Sequence, residues 1–305
     1  MKVVILDGHT INPGDLSWDK IAELCDELIV YEKTDPNQIR ERISGCDVLM
    51  TSKCGITREI MAGSETLKYI GETATGYNNI DIRAAKDLGV AVSNVPAYAS
   101  DAVAQHAIAL MLEISNNVGL NNASVQAGEL ASSEYFCYWK QPIVLLAGKS
   151  LGIIGYGAIG RRVGEIASAL GMKVNVYSKD PEAAVKSDFV TLHCPLTSEN
   201  EKMINEDFIN RMKPGAVLIN TARGGLIDEE AVAKALKDGR LSAAGLDCLT
   251  EEPPKADCPL IGLENCILTP HMAWAPKEMR QAVIDALAKN FKAWLNDEKL
   301  NRVDI

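Results

Sequence analysis

Val144 to Val163 reads VLLAGKSLGIIGYGAIGRRV, and this stretch decides the fold. The apolar run Leu151 to Ile154 predicts a buried strand, and Gly155, Gly157 and Gly160 follow it in GxGxxG spacing. A helical pattern then runs from Ile159 to Leu170 and stops at Gly171, before a second strand pattern at Lys173 to Tyr177. Strand, glycine turn, helix and strand make a βαβ opening in which each glycine has a physical task. The first permits a tight turn. The second lets a pyrophosphate approach the backbone, and the third lets helix and strand pack closely. The helix start adds free N–H groups and the positive end of a dipole, so the motif reads as a dinucleotide cradle in which Ala158 and Ile159 also face the phosphates.

Working outward, 305 residues suit two domains at roughly 150 residues each, and a hydrophobic content of 47% is enough for two cores. The net charge of −10 and the pI near 5.0 argue against a nucleic-acid or anionic-membrane partner. The start, MKVVILDGH, enters a strand pattern at once and lacks the layout of a signal peptide. No apolar run approaches the length of a membrane span. Eight cysteines sit in apolar surroundings without CxxC spacing, which reads as reduced core thiols in a cytoplasmic protein and gives no metal site.

Before the glycine motif, strand patterns at Lys2 to Leu6, Leu28 to Tyr31, Asp47 to Thr51, Leu67 to Ile70 and Val90 to Ser93 alternate with helical ones. The helical patterns are Trp18 to Leu24, Pro36 towards Ile43, Thr57 to Met61, and Ile82 to Leu88 closed by Gly89. Such alternation predicts a parallel sheet covered on both faces. A long helix follows from about Asp101 to Asn117, continuing raggedly towards Gln126. It is apolar nearly all round at first, so it is expected to be buried as a wall between two domains. His106 within it reads as a core or interface histidine. Later strands at Phe189 to Leu192, Ala216 to Asn220, Ala243 to Leu246 and Cys266 to Leu268 complete a doubly wound Rossmann-type domain. The last helix, Lys277 to Leu295, is expected to return to the first domain. The chain is therefore α/β, with two Rossmann-like doubly wound parallel sheets: a flavodoxin-like substrate domain, 1–97 with 282–305, and a dinucleotide-binding domain, 98–281.

His193, Thr221, Ala222, Arg223, Asp247 and His271 all fall just after predicted strands, where ligands bind in such sheets. Hydride transfer to a carbonyl needs a cation for the substrate carboxylate, a proton donor and a group that tunes it. Arg223 offers a planar fork, His271 an imidazole, and Glu252 a carboxylate that would favour imidazolium. Each also has an ordinary reading: Arg223 as a surface residue, Glu252 as part of a solvated acidic turn, His271 as a histidine flanking a helix.

The chain resembles the D-2-hydroxyacid dehydrogenase family nearly end to end. The resemblance is carried by ATGYNNID from Ala74 to Asp81, Gly155 to Gly160, HCPLT from His193 to Thr197, NTARGG from Asn220 to Gly225, GLD from Gly245 to Asp247, Glu252-Pro253 and TPHMAW from Thr269 to Trp274. It implies Arg223, Glu252 and His271 as the catalytic set. It implies cofactor contacts at Gly155, Gly157, Ala158, Ile159, Gly160, His193, Pro195, Thr197, Thr221, Ala222 and Asp247. It places the substrate at Lys53, Cys54, Gly55 and Gly76, together with Arg223 and His271, with the carboxylate held partly by backbone N–H groups. A homodimer built on the cofactor domains, with an arm from Asn121 to Leu146 wrapping the partner, is also implied. Within the family the likeness is greatest to glycerate dehydrogenases, that is hydroxypyruvate reductases, through NVPAYASD from Asn94, FCYW from Phe136 and HMAW from His271. Trp139 and Trp274 would then wall a small substrate pocket.

Two departures bear on the cofactor. Where the family ends its second Rossmann strand with an acidic residue for the ribose of NAD, this chain has Ser178 followed by Lys179, with Asp180 one step away. Ser178 and Lys179 suit a 2′-phosphate, so use of NAD(H) or NADP(H) is expected with a lean to NADP(H). Between Tyr177 and Phe189 only SKDPEAAVKSD remains, so an edge strand is expected to be missing or rebuilt. The reading is NAD(P)H-dependent reduction of hydroxypyruvate or glyoxylate to the D-2-hydroxyacid, and the reverse oxidation. Its rivals are a dehydrogenase of the lactate or phosphoglycerate type and a co-repressor-like, nucleotide-sensing binding protein.

Overall fold

A computed structural model describes residues 1–305, the whole chain. It divides into two units, Met1–Ala99 with Ala275–Ile305, and Ser100–Trp274.

In the first unit five strands, β1 (Lys2–Ile5), β2 (Glu27–Val30), β3 (Val48–Thr51), β4 (Tyr69–Glu72) and β5 (Ala91–Ser93), form a wholly parallel sheet in the order β2-β1-β3-β4-β5. This is the flavodoxin-like order. Strands β3, β4 and β5 are buried throughout because both faces of a parallel sheet are covered, whereas edge strand β2 is half exposed. Pro36 opens a 3₁₀ turn with a capping box between Asp35 and Gln38, and the α-helix proper occupies only Ile39–Arg42. The Ile82–Leu88 helix has the Asp81 carboxylate accepting from Ala84 N at its start and Gly89 in the left-handed region at its end. The helix Lys277–Leu295 belongs to this unit and stacks Phe291 and Trp294 against Tyr69, at ring-centroid distances of 6.0 and 5.1 Å. The division at Trp274/Ala275 precedes this unbroken helix, whereas the boundary expected at 281/282 falls inside it.

The second unit carries β6 (Ser150–Ile154), β7 (Lys173–Val176), β8 (Phe189–Leu192), β9 (Ala216–Asn220), β10 (Leu241–Leu246) and β11 (Cys266–Leu268), again all parallel, in the order β11-β10-β9-β8-β6-β7. The sheet ends at β7. A one-turn helix, Pro181–Val185, is all that links β7 to β8, so the edge strand that the shortened sequence called into question is absent.

The helix predicted from Asp101 differs from expectation in two ways. It spans Ser100–Asn116 and stops at Asn117, in the left-handed region at φ 50°, before a separate helix Val118–Gln126. Asn tolerates that conformation better than most residues, so it can terminate a helix that apolar periodicity alone would extend. The helix is also not buried all round, because Ala109 and Leu112 lie on an exposed stripe.

Candidate active site

Strand register builds the site of the second unit. Ile154 pairs with Leu192, Leu192 with Asn220, Asn220 with Leu246, and Leu246 with Leu268. The residues that follow these five, Gly155, His193, Thr221, Asp247 and Thr269, therefore form one row at the carboxyl ends of the strands.

At one end of the row lies the glycine turn. Gly155 has φ 92°, and a Cβ there would sit 2.5 Å from Cys194 N and His193 C. A Cβ on Gly160 would lie 2.1 Å from Gly155 O, so helix and turn meet only through a bare backbone. Gly157 is different, with open space where its Cβ would be. It is the N-cap of the helix Ala158–Ala169 and offers no side-chain cap, which leaves the first N–H groups for an anion. Further along the row, His193 Nδ1 and Thr221 Oγ1 are buried without a partner. Burial pushes the His193 imidazole down to about 3, so it is neutral at pH 7 and acts as a hydrogen-bonding group. Its Nε2 lies 2.9 Å from Thr191 Oγ1. An open glycine, an uncapped helix start and two orphaned polar atoms fit a dinucleotide. Pro195 and Thr197 are exposed on a turn organised by Asn200, whose side chain bonds both Pro195 O and Thr197 N. Ser178 and Lys179 are exposed just after β7, while Asp180 uses its carboxylate to cap the Pro181–Val185 helix through Ala183 N at 3.0 Å.

The candidate acid–base pair is in direct contact: His271 Nδ1 lies 2.6 Å from Glu252 Oε2. Glu252 is itself fixed by Leu249 N, which donates to its Oε1 at 3.0 Å. The segment carrying Arg223 backs onto the same place. A Cβ on Gly224 would overlap Leu249 C at 1.9 Å, so only glycine lets the chain after Arg223 lie against Leu249 and Thr250. Buried Asn220 shapes the turn from within, with Nδ2 donating to Arg223 O and Oδ1 accepting from Ala222 N. The Arg223 guanidinium is exposed and makes one bond, to Ala222 O at 2.7 Å. With Nδ1 engaged by Glu252, Nε2 is the His271 nitrogen left for a reacting group.

In the first unit the loop after β3 is held from beneath. Asp7 Oδ2 accepts from Thr51 Oγ1 at 2.8 Å, Ser52 N at 3.0 Å and Lys53 N at 2.6 Å, and Thr51 Oγ1 accepts from Cys54 N at 3.2 Å. Asn79 Nδ2 bonds both Cys54 O and the buried Glu72 Oε2. The N–H groups of Lys53 and Cys54, expected to receive a substrate carboxylate, are thus engaged internally, because the tight turn points them at Asp7 and Thr51. The exposed Gly55 backbone and Lys53 side chain are the remaining donors of the loop, and Gly76 is half buried.

A family model described as D-isomer specific 2-hydroxyacid dehydrogenase, NAD binding domain, matches residues 108–273. The chain is 42% identical to a hydroxypyruvate reductase of Blautia hydrogenotrophica over 100% of both proteins. It is 40% identical to a glycerate dehydrogenase of Methylorubrum extorquens over 99% of both. The chain belongs to the D-isomer specific 2-hydroxyacid dehydrogenase family. A solved acyclic imino acid reductase, in complex with NADPH and D-Arg, superposes with a TM-score of 0.85 at 34% identity, covering 99% of this chain and 100% of that one. The second unit accordingly holds the NAD-binding domain of a 2-hydroxyacid dehydrogenase, an oxidoreductase.

Against that family frame, two residues sit differently from the sequence-based expectation. Asp247, expected at the cofactor, is 2% exposed and faces inward, accepting from Thr269 Oγ1, Met272 N and Ala273 N. Trp139, expected to wall a substrate pocket, is 63% exposed on the segment after Gln126. Trp274 does lie beside the site and donates from Nε1 to His271 O at 2.8 Å. Asn220, Thr269, Asn79 and Asp7 were not singled out by sequence reasoning, although the first three lie inside motifs that were. No helix of this dehydrogenase is long and apolar enough to cross a membrane, and no disulfide joins its eight cysteines, of which Cys137 is exposed rather than in a core.

Proposed function

We propose that this enzyme reduces a small 2-ketoacid, hydroxypyruvate or glyoxylate, to the D-2-hydroxyacid with NAD(P)H, and catalyses the reverse oxidation. The observation that carries the reading is the 2.6 Å contact between His271 and Glu252, which lie just beyond Thr269 and Asp247 of the row of strand ends that begins at the glycine cradle. The names of its relatives, hydroxypyruvate reductase, glycerate dehydrogenase and glyoxylate reductase, support the substrate class. When bound, a reduced nicotinamide supplies the hydride. The exposed Arg223 fork orients the carboxylate and polarises the carbonyl. His271 delivers a proton from Nε2 to the carbonyl oxygen, and Glu252 holds the ring in place and balances its charge. We assign the first unit as the substrate domain, with the Gly55 N–H and the Lys53 ammonium as its donors for the ketoacid carboxylate. The test is to follow oxidation of NADPH and, separately, NADH on adding hydroxypyruvate, glyoxylate or pyruvate. Fast oxidation with hydroxypyruvate is expected. Cofactor binding without turnover of any small ketoacid would overturn the reading in favour of a sensing protein or a larger substrate.

Ser178 and Lys179 favour NADPH as the better cofactor. Lys179 can meet a 2′-phosphate at the exposed end of β7, while Asp180, the acidic residue available for a ribose hydroxyl, is engaged as a helix cap. The NADPH complex of the imino acid reductase accords with this choice. Lys179→Ala is expected to lower kcat/KM for NADPH about tenfold, the worth of one hydrogen bond to a charged group, with little change for NADH. Equal losses with both cofactors would remove the role of Lys179.

We further propose a cytoplasmic homodimer. Tyr135, Phe136, Trp139 and Leu145 are 74%, 95%, 63% and 75% exposed, an apolar concentration along one segment that a second copy would cover. Sedimentation should give twice the 33.0 kDa chain mass, and a monomer would refute the assignment. Eight unpaired thiols suit a reducing compartment, which cell fractionation would check.

A further inference from the structure

We propose that Asp247, Thr269 and His106 are positioning residues that hold His271 in the conformation its chemistry needs. The inference rests on the reading of His271 as the proton donor. His271 has φ 50°, a left-handed backbone that a residue with a Cβ adopts only when its surroundings enforce it. The enforcement comes from a single carboxylate. Before His271, Thr269 Oγ1 donates to Asp247 Oδ1 at 2.6 Å, and after it Met272 N and Ala273 N donate to Oδ1 and Oδ2, both at 2.9 Å. Asp247 thereby grips the chain on both sides of the strained residue. Burial alone would raise its carboxyl, but the hydrogen bonds from His106, Thr269, Ala273 and Met272 outweigh it and hold the group below the usual aspartate value, so it is the anion that does the gripping.

His106 closes the chain from the Ser100–Asn116 helix. Its Nε2 lies 2.9 Å from Thr269 Oγ1 and 3.4 Å from Asp247 Oδ1. The Thr269 hydroxyl has one hydrogen, and the 2.6 Å contact directs it to the carboxylate. Thr269 Oγ1 therefore accepts from His106, whose Nε2 must carry a proton. The order of donation runs from His106 to Thr269 to Asp247, anchoring the His271 segment to a long helix. None of the three residues is assigned a contact with substrate. They act through the placement of His271 on Glu252.

The test is a set of paired variants assayed for ketoacid reduction, each in the wild-type and the His271→Ala background. Thr269→Val keeps the shape and loses the hydroxyl, and should lower kcat roughly tenfold with KM for the ketoacid within about twofold, the signature of a misplaced group. Thr269→Ser should restore kcat. His106→Leu should lower kcat, and His106→Gln, which can still donate, should recover most of it. In the His271→Ala background neither Thr269→Val nor His106→Leu should cause a further loss. Full kcat in both Thr269→Val and His106→Leu would overturn the proposal, as would equal losses with and without His271. A His271→Ala enzyme as active as wild type would instead overturn the assignment of His271 itself.

Discussion

Replacing His271 with alanine should lower kcat at least a hundredfold while leaving cofactor affinity unchanged. A positioned general acid contributes about 10² to 10⁴ in rate, or roughly 3–5 kcal/mol of barrier. The geometry says why this histidine carries that share. Its Nδ1 is held by Glu252 at 2.6 Å, its carbonyl by Trp274 Nε1 at 2.8 Å, and its ring is a third exposed, so Nε2 is both fixed and reachable. Without the imidazole, the oxygen that gains charge as hydride arrives must take its proton from water. The cradle from Gly155 to Gly160 shares no side chain with this pair, so fluorescence titration with NADPH should give the same dissociation constant for variant and wild type. Glu252→Gln separates placement from charge. It fills the same space, yet its amide can present N–H to Nδ1, hold the wrong tautomer and leave the imidazolium unbalanced. A loss of about tenfold or more is expected there, smaller than that of His271→Ala. Steady-state kcat at saturating cofactor decides both, and undiminished kcat in His271→Ala would end the acid–base assignment.

The parts of this molecule that were legible in the sequence are those that burial writes into composition. Strands such as Phe189–Leu192 and Ala216–Asn220 are covered on both faces, so they appear as largely apolar runs, and the Ile82–Leu88 helix is bounded by Asp81 and Gly89 as its caps require. The row of strand ends followed from the same runs, because parallel strands in register must place their successors side by side. Departures came where one residue's backbone decides. Asn117 ends a helix that its neighbours would continue, and Pro36 starts a 3₁₀ turn rather than an α-helix. Side-chain direction was legible least of all. Asp247 belongs to the expected row, but whether its carboxylate faces a ligand or the protein depends on the left-handed turn at His271, a conformation that histidine adopts more readily than most residues but still too seldom to be read from the sequence. His106 looked like a core residue because its partner, Thr269, lies 163 positions away.

Glu72→Gln should stabilise the first unit at pH 8 and not at pH 5. Glu72 ends β4, is fully buried, and has one oxygen on Asn79 Nδ2 at 3.0 Å and the other, Oε1, without a partner. Burial, reinforced by the nearby Asp7, pushes its carboxyl from 4.5 up to about 9, against the opposing pull of Asn79 and Lys53. The folded state therefore keeps its proton up to about 9, whereas the unfolded chain gives it up above about 4.5. Between these values the folded state binds the extra proton, so stability falls as pH rises, by about 1.4 kcal/mol per pH unit. By pH 7 to 8 the ionised unfolded state has gained roughly 3.5–5 kcal/mol. Glutamine is neutral in both states and escapes this cost, at the smaller expense of a buried amide with incomplete partners. A net gain of about 2 kcal/mol corresponds to a Tm higher by about 4–8 °C at pH 8, shrinking to nothing near pH 5. Equal Tm differences at the two pH values would show that Glu72 is not protonated in the folded enzyme. The same protonation bears on substrate. Glu72 is joined through Asn79 to Cys54 O in the loop proposed to receive the ketoacid carboxylate, and a second anion beside Asp7 would repel it. Since a protonated Glu72 carries no charge at pH 7, Glu72→Gln should leave KM for the ketoacid within about twofold of wild type there. A KM lowered tenfold would mean that the wild-type residue is an anion, in agreement with a Tm difference that does not depend on pH.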